Sequence, residues 1–510
     1  MASSWMEDVQ FSPLNIPLHI TSKDVVVPAR TIPVAPGDTL YLSNLDDMIG
    51  CRVFTPTVYF YRSNSSKCND VVEKLHEALA LVLVPYYPFS GRLRKTNNGK
   101  LEIFFGHNQG ALIVKAHSSM ALTDLGDLSV PNPAWAPLVY HFPNEEPYKV
   151  IDMPLLIAQV TYFRCGGFSL GLRLCHCLCD GIGAMQFFNA WATTARLGTL
   201  VASPEPCWDR EYFRPRDPPI IKYPHLEFMR IMDGSTLTKS LWEVKPVQKC
   251  YKVSKKFQDH IKSLAQDSRQ DNYTTFDAMA AHIWRSWVKA LDVKPLDYEL
   301  RLTFTVNTRH MLKDPPLTDG FYGNAVCIAC ATSKVKDLID HPLPSTADLV
   351  HKARLSIDED YIRSIVDYIE DRRPQMLEFG GKLTITQWTR FSLYETADFG
   401  WGRPIYAGPI DLRPTPQVCV LLPEGGENPT DMLVCICLPE TAWLPTAKFW
   451  PARSKPRVGL DGPSEGSAQI ALREEGNAPG WPHRAANTSR YWQWKDNGPM
   501  LWGPVKYLVG

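Results

Sequence analysis

Apolar side chains at Leu75, Ala78, Leu79 and Val82 recur three and four residues apart, the spacing of one face of an α-helix. Asn69, a good N-cap residue, marks the start of that helix, and Pro85 ends it. Phe276, Met279, Ala280, Ile283, Trp284 and Trp287 form a second stripe and predict a helix over residues 275–291. Further helices are expected over residues 183–197, opening after Asp180-Gly181, and over residues 346–368. Short apolar runs predict strands at residues 101–105, 111–116, 155–163, 168–175, 301–306, 325–331, 383–391, 417–422 and 432–438. The run at 168–175 alternates in part, which suits a sheet with one face better protected than the other.

The order of these elements sets the organisation. Residues 1–35 are punctuated by proline and read as extended. Pro204, Pro206, Pro215, Pro218, Pro219 and Pro224 make residues 204–225 a crossover between two halves, 1–203 and 226–442. Strands and helices mix in both, so the fold class is α/β, with mixed (α+β) sheets. Composition changes after Ala442. Residues 443–510 carry 8 Pro, 8 Gly and six of the 15 Trp without periodicity, so an atypical, disordered tail is expected there, separate from the folded core.

Composition removes several classes. The chain has 510 residues, 45% hydrophobic and 21% charged, as globular proteins have. Fifty-four Lys and Arg balance 54 Asp and Glu, so no overall field draws nucleic acid or anionic lipid. No apolar run approaches the roughly 20 residues of a spanning helix. The opening MASSWMEDVQ lacks the basic-then-apolar order of a secretory signal, and the 13 Cys are scattered and odd in number. A reduced, cytoplasmic setting is expected.

The candidate chemistry lies in Leu174-Cys175-His176-Cys177-Leu178-Cys179-Asp180-Gly181-Ile182-Gly183, between a predicted strand and a predicted helix. Three readings compete for His176. It is a hydrogen-bonded core residue, a metal ligand, or a general base, for which an imidazole titrating near neutrality is suited. The metal reading fits poorly. Alternate strand residues point the same way, so Cys175, Cys177 and Cys179 would face opposite His176, and no C-x-x-C pair accompanies them. Far downstream, Asp398-Phe399-Gly400-Trp401-Gly402 reads locally as a tight loop.

His176-x-x-x-Asp180-Gly181 followed by Asp398-Phe399-Gly400-Trp401-Gly402 resembles the plant BAHD acyltransferases. Leu42-Ser43-Asn44-Leu45-Asp46, Tyr86 to Leu93 and Phe321-Tyr322-Gly323-Asn324-Ala325 resemble further segments of that family, so the likeness covers roughly residues 14–442. It implies two domains like chloramphenicol acetyltransferase with a channel at their interface. It implies acyl-CoA as co-substrate with no permanently bound cofactor and no metal. His176 would be the base. Asp180 would point away from the reaction and pair with Arg309, although the family usually has Asp where Asn307 stands. Gly181, Asp398, Gly400, Trp401 and Gly402 would be structural. Thr386 and Trp388 match a pocket-lining T-x-W segment, and the Trp388 indole N–H is a candidate donor to the oxyanion. Lys252, Ser254, Lys255 and Lys256 are candidates for the phosphates of coenzyme A.

Local strings such as Tyr41 to Asp46, Cys165 to Phe168 and Arg363 to Tyr368 most resemble the transferases that place feruloyl or caffeoyl groups on ω-hydroxy fatty acids and fatty alcohols, as in suberin. A monomer with an acyl-CoA donor and an alcohol acceptor is expected. An amine acceptor, a non-catalytic partner in lipid elongation and a hydrolase using Cys175 or Cys177 as nucleophile are the alternatives.

Overall fold

The computed structural model describes residues 6–9, 14–62, 71–146, 149–232, 234–237, 246–266, 272–374, 380–410, 417–425, 430–439 and 442. The predicted helix start at Asn69 and the tail 443–510 lie outside the described residues. Two large mixed sheets and one small sheet organise the remainder.

The first large sheet runs β14 (Tyr406–Pro409), β4 (Phe54–Tyr61), β9 (Phe168–Cys175), β8 (Leu156–Phe163), β7 (Ala111–Ser118), β2 (His19–Val26). All neighbours are antiparallel except β7 and β8. Its central strands are apolar on both faces because both are covered. Helices α1 (Val71–Val82) and α2 (Gly181–Leu197) pack into one core with Tyr59, Tyr61, Phe168 and Leu170. Trp135 packs with Val58 and Phe60 in another. Gly171 lets the second layer come close, since a Cβ there would sit 2.0 Å from the Leu138 carbonyl oxygen.

The second large sheet runs β1 (Met6–Val9), β10 (Pro246–Val253), β16 (Met432–Pro439), β15 (Val418–Pro423), β13 (Lys382–Gln387), β11 (Glu299–Asn307), β12 (Val326–Lys334). Here β13 is parallel to both β11 and β15. Helices α3 (Lys255–Ala265), α4 (Thr275–Ala290), α5 (Val335–Asp340), α6 (Leu343–Leu355) and α7 (Glu359–Arg372) belong to the same half, and apolar residues of all five share its core. The small sheet is β3 (Thr39–Tyr41), β6 (Leu101–Phe104), β5 (Arg92–Lys95).

The sheets do not divide cleanly at residues 204–225. Strand β14 comes from the C-terminal half and pairs with β4, Tyr406 opposite Phe60. Strand β1 comes from the N-terminus and pairs with β10, Met6 opposite Val253. The cores interlock likewise. Leu45, Met48 and Cys51 pack with the second sheet, and Tyr322, Phe399 and Trp401 with the first.

Three predicted elements differ. The helix expected over 346–368 is two, because Ser356 ends α6 and Asp358 starts α7 by accepting the Tyr361 N–H at 2.8 Å. Helix α2 begins two residues earlier than expected, at Gly181, since Asp180 caps it. The run 383–391 is strand only to Gln387, and beyond it the Phe391 N–H turns back to the Trp388 carbonyl at 2.9 Å.

Candidate active site

Strand β9 ends at Cys175, and residues 176–179 turn into the Asp180 cap of α2. The turn is held by its backbone. His176 N–H donates to the Val53 carbonyl at 2.9 Å, and the His176 carbonyl accepts from Asn324 Nδ2 at 2.8 Å. His176 is half-buried. Its Nδ1 is sealed from solvent and has no hydrogen-bond partner among the described residues. Cys175, Cys177 and Cys179 are 0%, 0% and 3% exposed and belong to the core. A hydrogen bond with Cys175, together with burial, pushes the Cys177 thiol well above its ordinary range. Burial does the same to Cys179.

Asp180 is 4% exposed, and each of its hydrogen bonds supports the turn. Oδ1 accepts the N–H groups of Ile182 at 3.1 Å and Gly183 at 3.0 Å. Arg309 approaches as a fork, Nη1 2.8 Å from Oδ2 and Nη2 2.9 Å from Oδ1, and the Ala325 N–H donates to Oδ2 at 3.0 Å. Asn307 accepts from the Arg309 backbone N–H at 3.2 Å and from Nη1 at 3.3 Å, so its amide oxygen supports the guanidinium in place of the carboxylate usual there.

The T-x-W segment connects to this turn through Phe391. Thr386 is on β13, and the Trp388 N–H donates to the Leu421 carbonyl at 2.7 Å. The Trp388 ring is 5.9 Å from that of Phe391, centroid to centroid. Phe391 in turn presses on the first residue of α2: a Cβ on Gly181 would lie 2.2 Å from its ring. The structure thus brings His176, Asp180, Gly181, Arg309 and Phe391 together.

The loop 398–402 sits at the other end of α2. Asp398 Oδ1 accepts the N–H groups of Gly400 at 2.8 Å and Gly402 at 3.0 Å, and both glycines have positive φ, 102° and 91°. Phe399 meets Phe188 and Trp191 of α2 edge-on at 5.2 and 5.3 Å, and Arg196 in the last turn donates to the Asp398 carbonyl. The rise of α2 from Gly181 to Arg196 separates this loop's anchor from the His176 turn by about 20 Å.

The four candidates for coenzyme A lie at the end of β10 and the start of α3. Ser254 caps α3 by accepting from the Phe257 N–H at 3.3 Å. Lys252 pairs with Glu424 at 3.6 Å, and Lys255 pairs with Asp259. Lys256 is exposed on the same helix. Among the described residues none of the four is shown touching the His176 turn. A cleft of about 610 Å³ between β2, β7 and α1, lined by Asp24, Glu73, His76, Lys115 and His117, holds none of the candidate residues.

Sequence reasoning missed a buried polar cluster behind the turn: Asp46, Arg210 and Asn324, at 0%, 2% and 0% exposure. Asp46 and Asn324 stood within segments noted for their resemblance, but no role attached to them, and Arg210 lay in the crossover.

Comparison with known proteins decides the lineage. Residues 16–444 match the model of the Transferase family. The chain belongs to that family, the BAHD acyltransferases. It is an acyl-CoA-dependent O-acyltransferase. It is 34% identical over 428 residues to alcohol acyl transferase 1 allele RGb of Malus domestica, covering 82% of this chain and 91% of that one. It is also 34% identical over 412 residues to the omega-hydroxypalmitate O-feruloyl transferase of Arabidopsis thaliana, covering 79% and 86%. Among solved structures, vinorine synthase shares the fold at a TM-score of 0.64 and 19% identity, covering 86% of this chain and 98% of that one. The F. sporotrichioides TRI101 complex with coenzyme A and T-2 does so at 0.67 and 16%, covering 80% and 97%.

Proposed function

We propose that this BAHD transferase moves a hydroxycinnamoyl group, feruloyl or caffeoyl, from coenzyme A to the hydroxyl of a long-chain alcohol such as an ω-hydroxy fatty acid, with His176 as general base. The observation that carries the mechanism is the half-buried His176 on a turn held by the Asn324 and Asp180–Arg309 hydrogen bonds. Nε2 of the ring accepts the alcohol proton while the alcohol oxygen attacks the thioester carbon. The carbonyl electrons move onto oxygen, to which the Trp388 indole N–H is assigned as donor. The tetrahedral adduct collapses, the C–S bond breaks, and the coenzyme A thiolate takes the proton back from the imidazolium. One such oxyanion donor contributes about 2.7–4 kcal/mol, and holding both substrates together contributes roughly 7–11 kcal/mol.

The aromatic donor and long-chain acceptor rest on likeness. Two relatives at 34% and 33% identity are an omega-hydroxypalmitate O-feruloyl transferase and a fatty alcohol:caffeoyl-CoA acyltransferase. Alcohol acyl transferases match equally well, which supports the alcohol and leaves the donor to experiment. A thiol hydrolase is disfavoured, because the Cys175 and Cys177 side chains are buried and the Cys177 thiol is held protonated. A serine hydrolase at His225 is disfavoured too. His225 lies 2.8 Å from Ser364 Oγ and 2.9 Å from Glu227, but all three are buried, and Ser364 Oγ already accepts the Lys222 and Tyr223 N–H groups. Assaying purified enzyme with feruloyl-, caffeoyl- and acetyl-CoA against ω-hydroxypalmitate, hexadecanol, hexanol and an alkyl amine tests the reading. Preference for a hydroxycinnamoyl donor and a long-chain alcohol supports it; preference for acetyl-CoA with short alcohols, or for the amine, contradicts it.

A further inference from the structure

Arg210 sits on the short turn Arg210–Phe213 in the crossover, yet its side chain is only 1% exposed. A buried guanidinium is costly unless partners offset its lost hydration. Its partners are the elements that build the His176 turn. Nε forms an ion pair with Asp46 Oδ2 at 2.9 Å, and Nη2 donates to the Leu178 carbonyl at 2.7 Å, two residues past His176. Nη1 donates to the Trp208 carbonyl at 3.0 Å, and the guanidinium lies over the Trp208 ring, 3.6 Å from its centroid.

Asp46 carries the same support to His176. Its Oδ1 accepts the Asn324 backbone N–H at 3.0 Å and Nδ2 at 2.9 Å. That Nδ2 also donates to the His176 carbonyl at 2.8 Å. Two carbonyls of the turn, at 176 and 178, are therefore held from behind by one ion-paired unit. Gly323 closes that unit: a Cβ there would lie 2.5 Å from Arg210 Cζ. With Nδ1 of His176 unpartnered among the described residues, the place of the ring depends on its backbone, which these anchors hold together with the His176 N–H bond to Val53.

We propose that Arg210 is a positioning residue for acyl transfer, acting through Asp46, Asn324 and the Leu178 carbonyl to set the place of the His176 imidazole. The proposal rests on the reading of His176 as the base. It assigns to the crossover a part in turnover beyond joining the two halves.

Two variants test it with the full chain. Arg210→Lys keeps a cation beside Asp46 but lacks the fork that also reaches Leu178. Gly323→Ala leaves every charge in place and displaces the guanidinium by its added methyl. Turnover is measured with the best donor and alcohol of the panel above and normalised to the fraction folded by circular dichroism. Both variants are expected to keep KM for the acyl-CoA while kcat per folded enzyme falls about tenfold to a hundredfold, the scale of misplacing a reacting group by about an ångström. A merely structural residue would lower the melting temperature and leave that kcat unchanged, and this result overturns the proposal. Should Arg210→Lys fail to fold, Gly323→Ala alone decides. His176→Ala is run alongside. Full turnover in His176→Ala overturns the base assignment itself, whereas a dead His176→Ala with normal Gly323→Ala overturns only the role of Arg210.

Discussion

Arg309 grips Asp180 with both terminal nitrogens, at 2.8 and 2.9 Å, and among the described residues no hydrogen bond of Asp180 reaches His176. The sequence spacing of His and Asp invites a catalytic pair, but the geometry makes the carboxylate the cap of α2 and the tie between the turn, Arg309 just past β11, and the Ala325 backbone. A buried ion pair of this kind fixes geometry more than it adds net stability, and removing one partner leaves a stranded charge.

Asp180→Asn keeps the shape and removes the charge. It is expected to lower unfolding free energy by up to about 3–5 kcal/mol, because the half-buried Arg309 then loses the charge it faces. Urea unfolding, followed with activity, checks this. Activity should fall with the loss of structure at the turn. Lost activity in a protein of wild-type stability would give Asp180 a chemical role the structure does not support.

Trp388→Phe removes the indole N–H and keeps a flat ring beside Phe391. If that N–H meets the oxyanion, kcat falls about a hundredfold or more with little change in stability. Unchanged kcat removes Trp388 from the mechanism.

Phe399→Ala empties a fully buried site between Phe188, Trp191 and Trp401. The loss should be about 3–5 kcal/mol of stability. The folded fraction should retain kcat, since the loop braces the far end of α2. Thermal melts and turnover at a temperature below the transition separate the two effects, and a kcat loss without a stability loss would place this loop at the chemistry.

Asp277 gives the pH dependence a definite sign. Its side chain is buried at the start of α4, which by itself raises the carboxyl's pKa. The fork from Arg354, with two contacts of 2.9 Å, the Thr274 N–H and His351 outweigh that and hold it below the usual 3.8. A depressed carboxylate contributes stability that is present above its unfolded pKa and is lost as pH falls through the folded value. Unfolding free energy from urea titrations should therefore drop below pH 3.8, and Asp277→Asn should flatten that acid limb. An identical acid limb in the variant contradicts the assignment.

How much of this was legible beforehand follows from what each signal depends on. The stripe from Phe276 to Trp287 is local and gave α4 to within a residue of its end. The strand at residues 168–175 was placed at both ends, since its apolar run stops at the turn. Strand β2 was missed because nearly all its residues are exposed at a sheet edge, so no apolar pattern marks it. The single helix expected over 346–368 failed because the α6 and α7 stripes run on past the Ser356 and Asp358 caps, which interrupt them without a proline or glycine. At the site, the Asp180–Arg309 pair was expected through family likeness. The Arg210–Asp46–Asn324 unit was not, because its members are 164 and 114 residues apart in sequence and only folding brings them together.

The central claim is that the His176 imidazole takes the alcohol proton as the thioester is attacked. Release of free coenzyme A thiol, followed with and without the alcohol for wild type and His176→Ala, tests it most directly. The expected result is acceptor-dependent release in the wild type and a loss of about a hundredfold to ten-thousandfold in a His176→Ala protein that still folds. Equal release by both proteins, or release by the wild type that ignores the alcohol, contradicts it.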